Sequence, residues 1–119
     1  MAAHQVMVVE DSREIQVMLG LAFQVSGFQT VLTSTAEEAL ERLPDEQPAA
    51  ILCDVQLPGM NGVEFTALLR SKADFFRVPI VLMSGYGEPA NHAADAFLSK
   101  PFDPFEVVET VRQLWVAEH

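Results

Sequence analysis

Basic residues are scarce in this 119-residue chain: Lys and Arg total 7 against 17 Asp and Glu, a formal net charge of −10. Such a surface repels phosphate backbones and anionic lipid, which sets aside direct nucleic-acid binding and membrane-surface binding. There is one cysteine, so no internal disulfide forms, and a reducing cytoplasm is the expected compartment. No apolar run is long enough to span a bilayer. The opening Met1-Ala2-Ala3-His4 has neither a basic n-region nor a long apolar h-region, so no secretory leader is expected. Repeats, low-complexity segments and linkers are absent as well. What is abundant is core material, since half of the residues are hydrophobic. That composition argues against disorder, and the length suits one domain over residues 1–119. The surplus carboxylates could serve a cation.

Strands alternate with helices along the chain. Gln5–Val9 is an apolar run stopped by Glu10-Asp11, as a strand buried on both faces requires. Ile15, Met18, Leu19 and Ala22 follow at helical spacing, with Asp11 or Ser12 as N-cap and Gly27 as terminator. Thr30–Thr33 is a more polar strand suited to an edge. Ser34 or Thr35 opens a second helix, each having Glu three residues later, with Ala36, Ala39, Leu40 and Leu43 inward and Pro44 as its end. Ala49–Cys53 is a third strand, stopped by Asp54. After the Pro58–Gly62 turn, a helix from Val63 to about Lys72 turns Phe65, Leu68 and Leu69 inward. Pro79–Met83 and Ala96–Leu98 are the last two strands. The final helix has Asp103 as N-cap and Pro104 as its first residue, with Val108, Val111, Leu114 and Trp115 on one face. Five such alternations predict an α/β fold with a doubly wound parallel sheet, whose ligands bind beyond the carboxyl ends of the strands.

Four of the five strands end in reactive side chains: Glu10-Asp11, Asp54, Ser84, and Lys100 just past the fifth. Parallel strands bring these ends to one edge. Clustered carboxylates repel one another unless a hard cation sits among them, and oxygen ligands of this kind suit Mg²⁺. A hydroxyl and a lysine beside such a metal can neutralise a phosphoryl group. Singly, each residue has a plainer use: Asp11 and Ser12 as helix caps, Asp54 as a turn residue, Ser84 as a loop opener, Lys100 as a solvated strand end. Their joint occurrence at successive strand ends favours a metal-dependent phosphoryl site. Cys53 should face away from Asp54, as a small core residue. His4, His92 and His119 are dispersed and have no ligand spacing.

Four segments then carry a resemblance: Val8-Val9-Glu10-Asp11, Cys53 through Gly62, Pro79 through Ser84, and Phe97 through Phe102. Along nearly its whole length the chain resembles a receiver domain of two-component response regulators. The resemblance implies a flavodoxin-like five-stranded order 2-1-3-4-5 and a phosphoacceptor at Asp54. The phosphoryl group comes from a phosphohistidine on a histidine kinase or histidine phosphotransfer protein, and the domain then relays it or alters binding to a downstream protein target. It further implies Mg²⁺ held by Asp11, Asp54 and the backbone carbonyl of Gln56, with Glu10 acting through a metal-bound water. Lys100 contacts the phosphoryl oxygen, and its bond to Pro101 is expected to be cis. Ser84 hydrogen-bonds the phosphoryl group and draws Phe97 inward as the switch aromatic. Gln56 and Tyr86 flank the phosphoryl group and tune its hydrolysis.

Two features depart from the usual pattern. Ser84 and Lys100 are several positions closer than in most receivers, and Gly85–Asp95 holds two glycines, a proline and only alanines as aliphatic residues. The family's fourth helix, between the last two strands, is therefore expected to be short or missing. In addition, the first helix carries Val17, Leu21 and Val25 beyond its inner face. These residues either pack against neighbours on a second side or form a docking patch for the helical bundle of a kinase or phosphotransfer domain. Two rival functions are weaker. A small Mg²⁺-dependent phosphohydrolase with an aspartyl nucleophile usually needs a second acid–base carboxylate, where this chain has Gln56, and a cap segment. A flavodoxin-like redox carrier wants a phosphate-cradling loop after the first strand, where Glu10-Asp11 stands instead.

Overall fold

The apolar runs form one parallel sheet. In the computed structural model, which describes residues 4–118 without the side chain of Glu118, the strands are β1 (Gln5–Val9), β2 (Gln29–Thr33), β3 (Ala50–Asp54), β4 (Ile80–Ser84) and β5 (Ala96–Ser99). Their order is β2-β1-β3-β4-β5, with every pairing parallel. The helices are α1 (Arg13–Val25), α2 (Ala36–Glu46), α3 (Gly62–Arg70) and α4 (Pro104–Glu118). His119 lies outside the described residues.

Alternation along each strand feeds two cores. Val6, Val8, Leu52, Val81 and Met83 face α1 and α4, where they meet Leu19, Phe23, Val107 and Val111. Met7, Val9, Ile51, Cys53, Ile80 and Leu82 face α2 and α3, meeting Ala39, Leu43, Phe65 and Leu69. The three inner strands bury nearly every side chain, as strands covered on both faces must. β2 is an edge and more exposed, as its polarity predicts.

Local chemistry sets the helix ends. The Ser12 hydroxyl accepts from the Ile15 N–H at 3.4 Å, and that of Thr35 from the Glu38 N–H at 3.0 Å. Asn61 opens α3 with a complete capping box, exchanging bonds of 2.9 and 3.0 Å with Glu64. Four expectations need correction. Pro44 does not end α2, which continues to Glu46. So near the end a proline forfeits a single helical bond, and the last turn still closes through Gln47 N–H on the Leu43 carbonyl at 2.9 Å. α3 stops at Arg70 rather than Lys72. Met18 faces outward, while Gln16 takes a place on the buried stripe with Leu19 and Phe23. On α4 the inner face is Val107, Val108 and Val111, with Leu114 and Trp115 only half-buried. Trp115 packs against His4 with ring centroids 4.2 Å apart.

Between β4 and β5 no helix forms, and only a turn at Ala90-Asn91 interrupts the loop. In place of a helix, Arg70 fastens the segment. Its guanidinium donates to Asp95 Oδ2 (2.8 Å) and to the carbonyls of Ala93 (3.0 Å), Phe76 (3.2 Å) and Val78 (2.7 Å). The same Asp95 oxygen accepts the Ile80 N–H at 2.8 Å. Arg70→Ala should therefore cost roughly 1–3 kcal/mol, as loss of charged hydrogen bonds does. Urea denaturation checks the magnitude, and hydrogen exchange should rise across 85–95 while β1 and β3 stay protected.

Candidate functional site

The carboxyl ends of β1, β3 and β4 and the residue after β5 meet at one edge, as parallel topology requires. Asp54 is the last residue of β3 and lies on the side of Ala50 and Leu52, toward α1 and α4. Cys53 faces the other core, and its thiol is pushed far up by burial and then by the Asp54 and Glu10 charges. It is inert as a nucleophile.

Lys100 joins the acids. Its Nζ lies 2.7 Å from Glu10 Oε1 and 3.2 Å from Asp54 Oδ2. Glu10 is 1% exposed and fully engaged, because Oε2 accepts the Ser12 N–H at 3.0 Å. Asp54 is 4% exposed, and its Oδ1 accepts the Gln56 N–H at 3.3 Å. Asp11 stands at the exposed mouth. One carboxylate oxygen from each of Glu10, Asp11 and Asp54 falls within a 4.8 Å span. Burial, with the Asp54 charge beside it, raises the Glu10 carboxyl above its ordinary range, although the Lys100 ammonium and the Ser12 N–H pull it down. Burial acts to lower the Lys100 ammonium, yet its bond to Glu10 and the two carboxylate charges outweigh this and raise it.

Ser84 closes the far side. Its backbone carbonyl accepts the Lys100 N–H at 2.9 Å, its hydroxyl donates to Gln56 Oε1 at 2.9 Å, and it accepts the Tyr86 N–H at 3.0 Å. The Lys100–Pro101 bond is cis, as expected. The loop from β3 to α3 is fixed from both sides. A Cβ on Gly62 would collide with the Asp54 carbonyl oxygen, and Gly59, at φ +74°, sits where Glu37 reaches over to accept the Met60 N–H at 3.1 Å.

The structure thus gathers Glu10, Asp11, Asp54 and Lys100 directly, and Ser84 through Gln56. Phe97 stands apart, half-buried against the core on the α2 and α3 side. Sequence reasoning missed Gln16, whose buried Nε2 donates to the carbonyls of Glu10 (2.6 Å) and Thr33 (3.1 Å) and binds the ends of β1 and β2 together. A polar residue three positions before Leu19 and seven before Phe23 was the available signal. On α1, Val17, Leu21 and Val25 are 42%, 58% and 72% exposed, so none of the described residues packs over them as a second layer.

The donor set fits Mg²⁺. Three carboxylates offer hard oxygens, two buried at the strand ends and one, that of Asp11, open to water at the mouth. A group of three acids with one ammonium also keeps negative charge in excess, which a divalent cation would compensate.

The fold and this edge have counterparts. The model of the family described as "Response regulator receiver domain" matches residues 6–112, and the chain belongs to that family. It is 32% identical over 116 residues to the phosphate regulon transcriptional regulatory protein PhoB of Klebsiella pneumoniae, covering 92% of this chain and 51% of that protein. The chain therefore spans about half the length of the curated relatives it matches. Among solved structures, the signal receiver domain of a signal transduction histidine kinase from Syntrophus aciditrophicus superposes with a TM-score of 0.90 at 26% identity, over 97% of this chain and 92% of that one. The receiver domain of the sensor histidine kinase PA1611 of Pseudomonas aeruginosa PAO1 shares the fold at 21% identity and a TM-score of 0.87, over 97% and 99% of the two chains. That structure has a magnesium ion coordinated in its active-site cleft. Family membership makes this chain a phosphoacceptor module of two-component signalling, and the phosphohydrolase alternative is not favoured. No helix among the described residues is long and apolar enough to cross a membrane.

The raised Lys100 ammonium gives a pH signature. A basic group raised on folding stabilises fully below its unfolded value, and the contribution disappears as pH climbs through the folded value. Wild-type stability should therefore fall above about pH 10, where free lysine titrates. Lys100→Met should lack this alkaline limb and be less stable at neutral pH; urea denaturation across a pH series reads both.

Proposed function

We propose that Asp54 is the phosphoacceptor of this receiver, with Glu10 and Asp11 serving its metal site and Lys100 and Ser84 engaging the phosphoryl group. The observation that best supports this is the Asp54 carboxylate 3.2 Å from Lys100 Nζ, inside the three-acid cluster. A carboxylate oxygen of Asp54 attacks the phosphorus of a phosphohistidine. The O–P bond forms as the N–P bond breaks, and the imidazole nitrogen keeps the electron pair and takes a proton from solvent. Lys100, held at the strand edge by its backbone bond to Ser84, places a fixed positive charge beside the transferring group. Glu10 orients that ammonium, and its own charge is spent on Lys100 and Ser12. Asp11, Asp54 and the Gln56 carbonyl are the residues suited to hold Mg²⁺ directly, with Glu10 acting through a water. When bound, the metal neutralises the charge on the phosphoryl oxygens. Little else is needed, since phosphoryl transfer depends mainly on positioning and charge. The chain thereby assists its own phosphorylation and dephosphorylation without acting on a separate substrate.

The phosphodonor in this reading is a histidine kinase or histidine phosphotransfer protein. The exposed Val17, Met18, Leu21 and Val25 of α1 suit an apolar helical bundle. Beside them, Ile15, Met18, Pro101 and Phe102 line a cleft of about 420 Å³ that ends on Lys100. Ser84 and Phe97 are the switch pair, and a downstream protein, rather than nucleic acid, reads the change. A charge of −10 opposes direct contact with DNA. A cytoplasmic site of action belongs to the same reading.

Acetyl phosphate with Mg²⁺ should add one phosphoryl group to the wild-type chain, read by intact mass. Asp54→Asn should take up none, and chelation of the metal should stop uptake in the wild type. Mg²⁺ alone should raise the melting temperature by mass action. Lys100→Ala should still accept phosphate without the downstream conformational response. Wild-type incorporation in Asp54→Asn would overturn the assignment.

A further inference from the structure

The Ser84 hydroxyl is wholly buried and has a single proton, and that proton is already committed. It goes to Gln56 Oε1 at 2.9 Å, while the oxygen accepts the Tyr86 N–H at 3.0 Å. The Ser84 backbone cannot drift to a compromise position. Its carbonyl accepts the Lys100 N–H, and the neighbouring Met83 carbonyl accepts the Val55 N–H at 2.8 Å. Gln56 is equally fixed at its root, because its N–H donates to Asp54 Oδ1 and it directly precedes a buried Leu57. The residue two positions after the acceptor thus holds the one hydroxyl proton that a phosphoryl group on Asp54 would recruit.

We infer that the Gln56 side chain is a latch on Ser84: it competes with the phosphoryl group for the Ser84 proton and so sets how readily phosphorylation throws the switch. The inference rests on Asp54 being the acceptor. Forming a Ser84 bond to a phosphoryl oxygen requires breaking the bond to Gln56, and the freed amide must find water instead. Gln56 is exposed, so water is at hand and the exchange is feasible rather than prohibitive. The cost falls on the phosphorylated state alone, and a residue with such differential effect moves the equilibrium between the two states. Gln56 acts here as a positioning residue through its side chain, separately from any use of its backbone carbonyl. Because Tyr86 N–H shares the same hydroxyl, release of the latch is transmitted directly into the loop between β4 and β5.

Beryllofluoride with Mg²⁺ tests this on the full chain, since it mimics a phosphoryl group without the hydrolysis that a side chain at this position also influences. Gln56→Met has similar length and no strong acceptor. It should bind beryllofluoride about fivefold more tightly than the wild type, as removal of one competing hydrogen bond predicts. Gln56→Glu keeps an acceptor oxygen and should restore a Ser84 bond, seen in the Tyr86 amide resonance, which shifts in Gln56→Met before any ligand is added. In a Ser84→Ala background the Gln56→Met gain should vanish, the coupling expected of residues in contact. Unchanged or weaker affinity in Gln56→Met, or an equal gain in the Ser84→Ala background, would overturn the latch. Failure of the wild type to bind beryllofluoride at all would instead overturn the acceptor assignment on which it rests.

Discussion

Lys100 lies between two buried carboxylates, 2.7 Å from Glu10 and 3.2 Å from Asp54, and the organisation of the sheet edge follows from that contact. Without the ammonium, Glu10 and Asp54 would be like charges at neighbouring strand ends in a poorly solvated place, a costly arrangement. With it, β5 is tied across β4 to the ends of β3 and β1, three strands linked by one side chain. The triad still leaves Asp11 and one net negative charge beyond balance, a surplus that a divalent cation would compensate. Structural need and chemical readiness are met by the same residues. Gln16 supports this from the other side, holding the Glu10 and Thr33 carbonyls together so that the β1 end cannot fray.

The segment from Gly85 to Asp95 shows how a receiver dispenses with a helix. Its far end is gripped by Arg70, which spans from α3 to Asp95 and three backbone carbonyls. Its near end hangs on the Ser84 hydroxyl through Tyr86 N–H. Between them, His92 is held on both ring nitrogens, by Glu88 at 2.7 Å and by the Ala94 N–H at 3.2 Å. The loop is therefore pinned at one end by permanent charge and at the other by a single hydroxyl. In the proposed switch, such an arrangement confines the response to the Ser84 end.

Much of this was legible in the sequence. Strand runs that stop at Glu10, Asp54 and Ser84 indicate a parallel sheet and an active edge, because apolar runs and their polar stops are local signals. The short loop was legible too, from its glycines, Pro89 and alanines. Less accessible were features decided by tertiary contact. Gln16 is a helix-face residue like any other until two carbonyls need a donor, and Pro44 fails to break α2 because only one bond is at stake so near its end. The exposure of Val17, Leu21 and Val25 depends on what else covers α1, which periodicity cannot report. Nor does composition indicate that Ser84 and Gln56, 28 positions apart, share one proton.

The central claim is that a single carboxylate, that of Asp54, receives the phosphoryl group. Borohydride reduces an acyl phosphate to the alcohol, so an aspartyl phosphate becomes homoserine while free carboxylates are untouched. Phosphorylating the chain with acetyl phosphate and Mg²⁺, reducing it and mapping the peptides locates the acceptor directly. Homoserine at position 54 alone is the result this account predicts. Homoserine at position 11 or at any other aspartate, with position 54 unmodified, would contradict it.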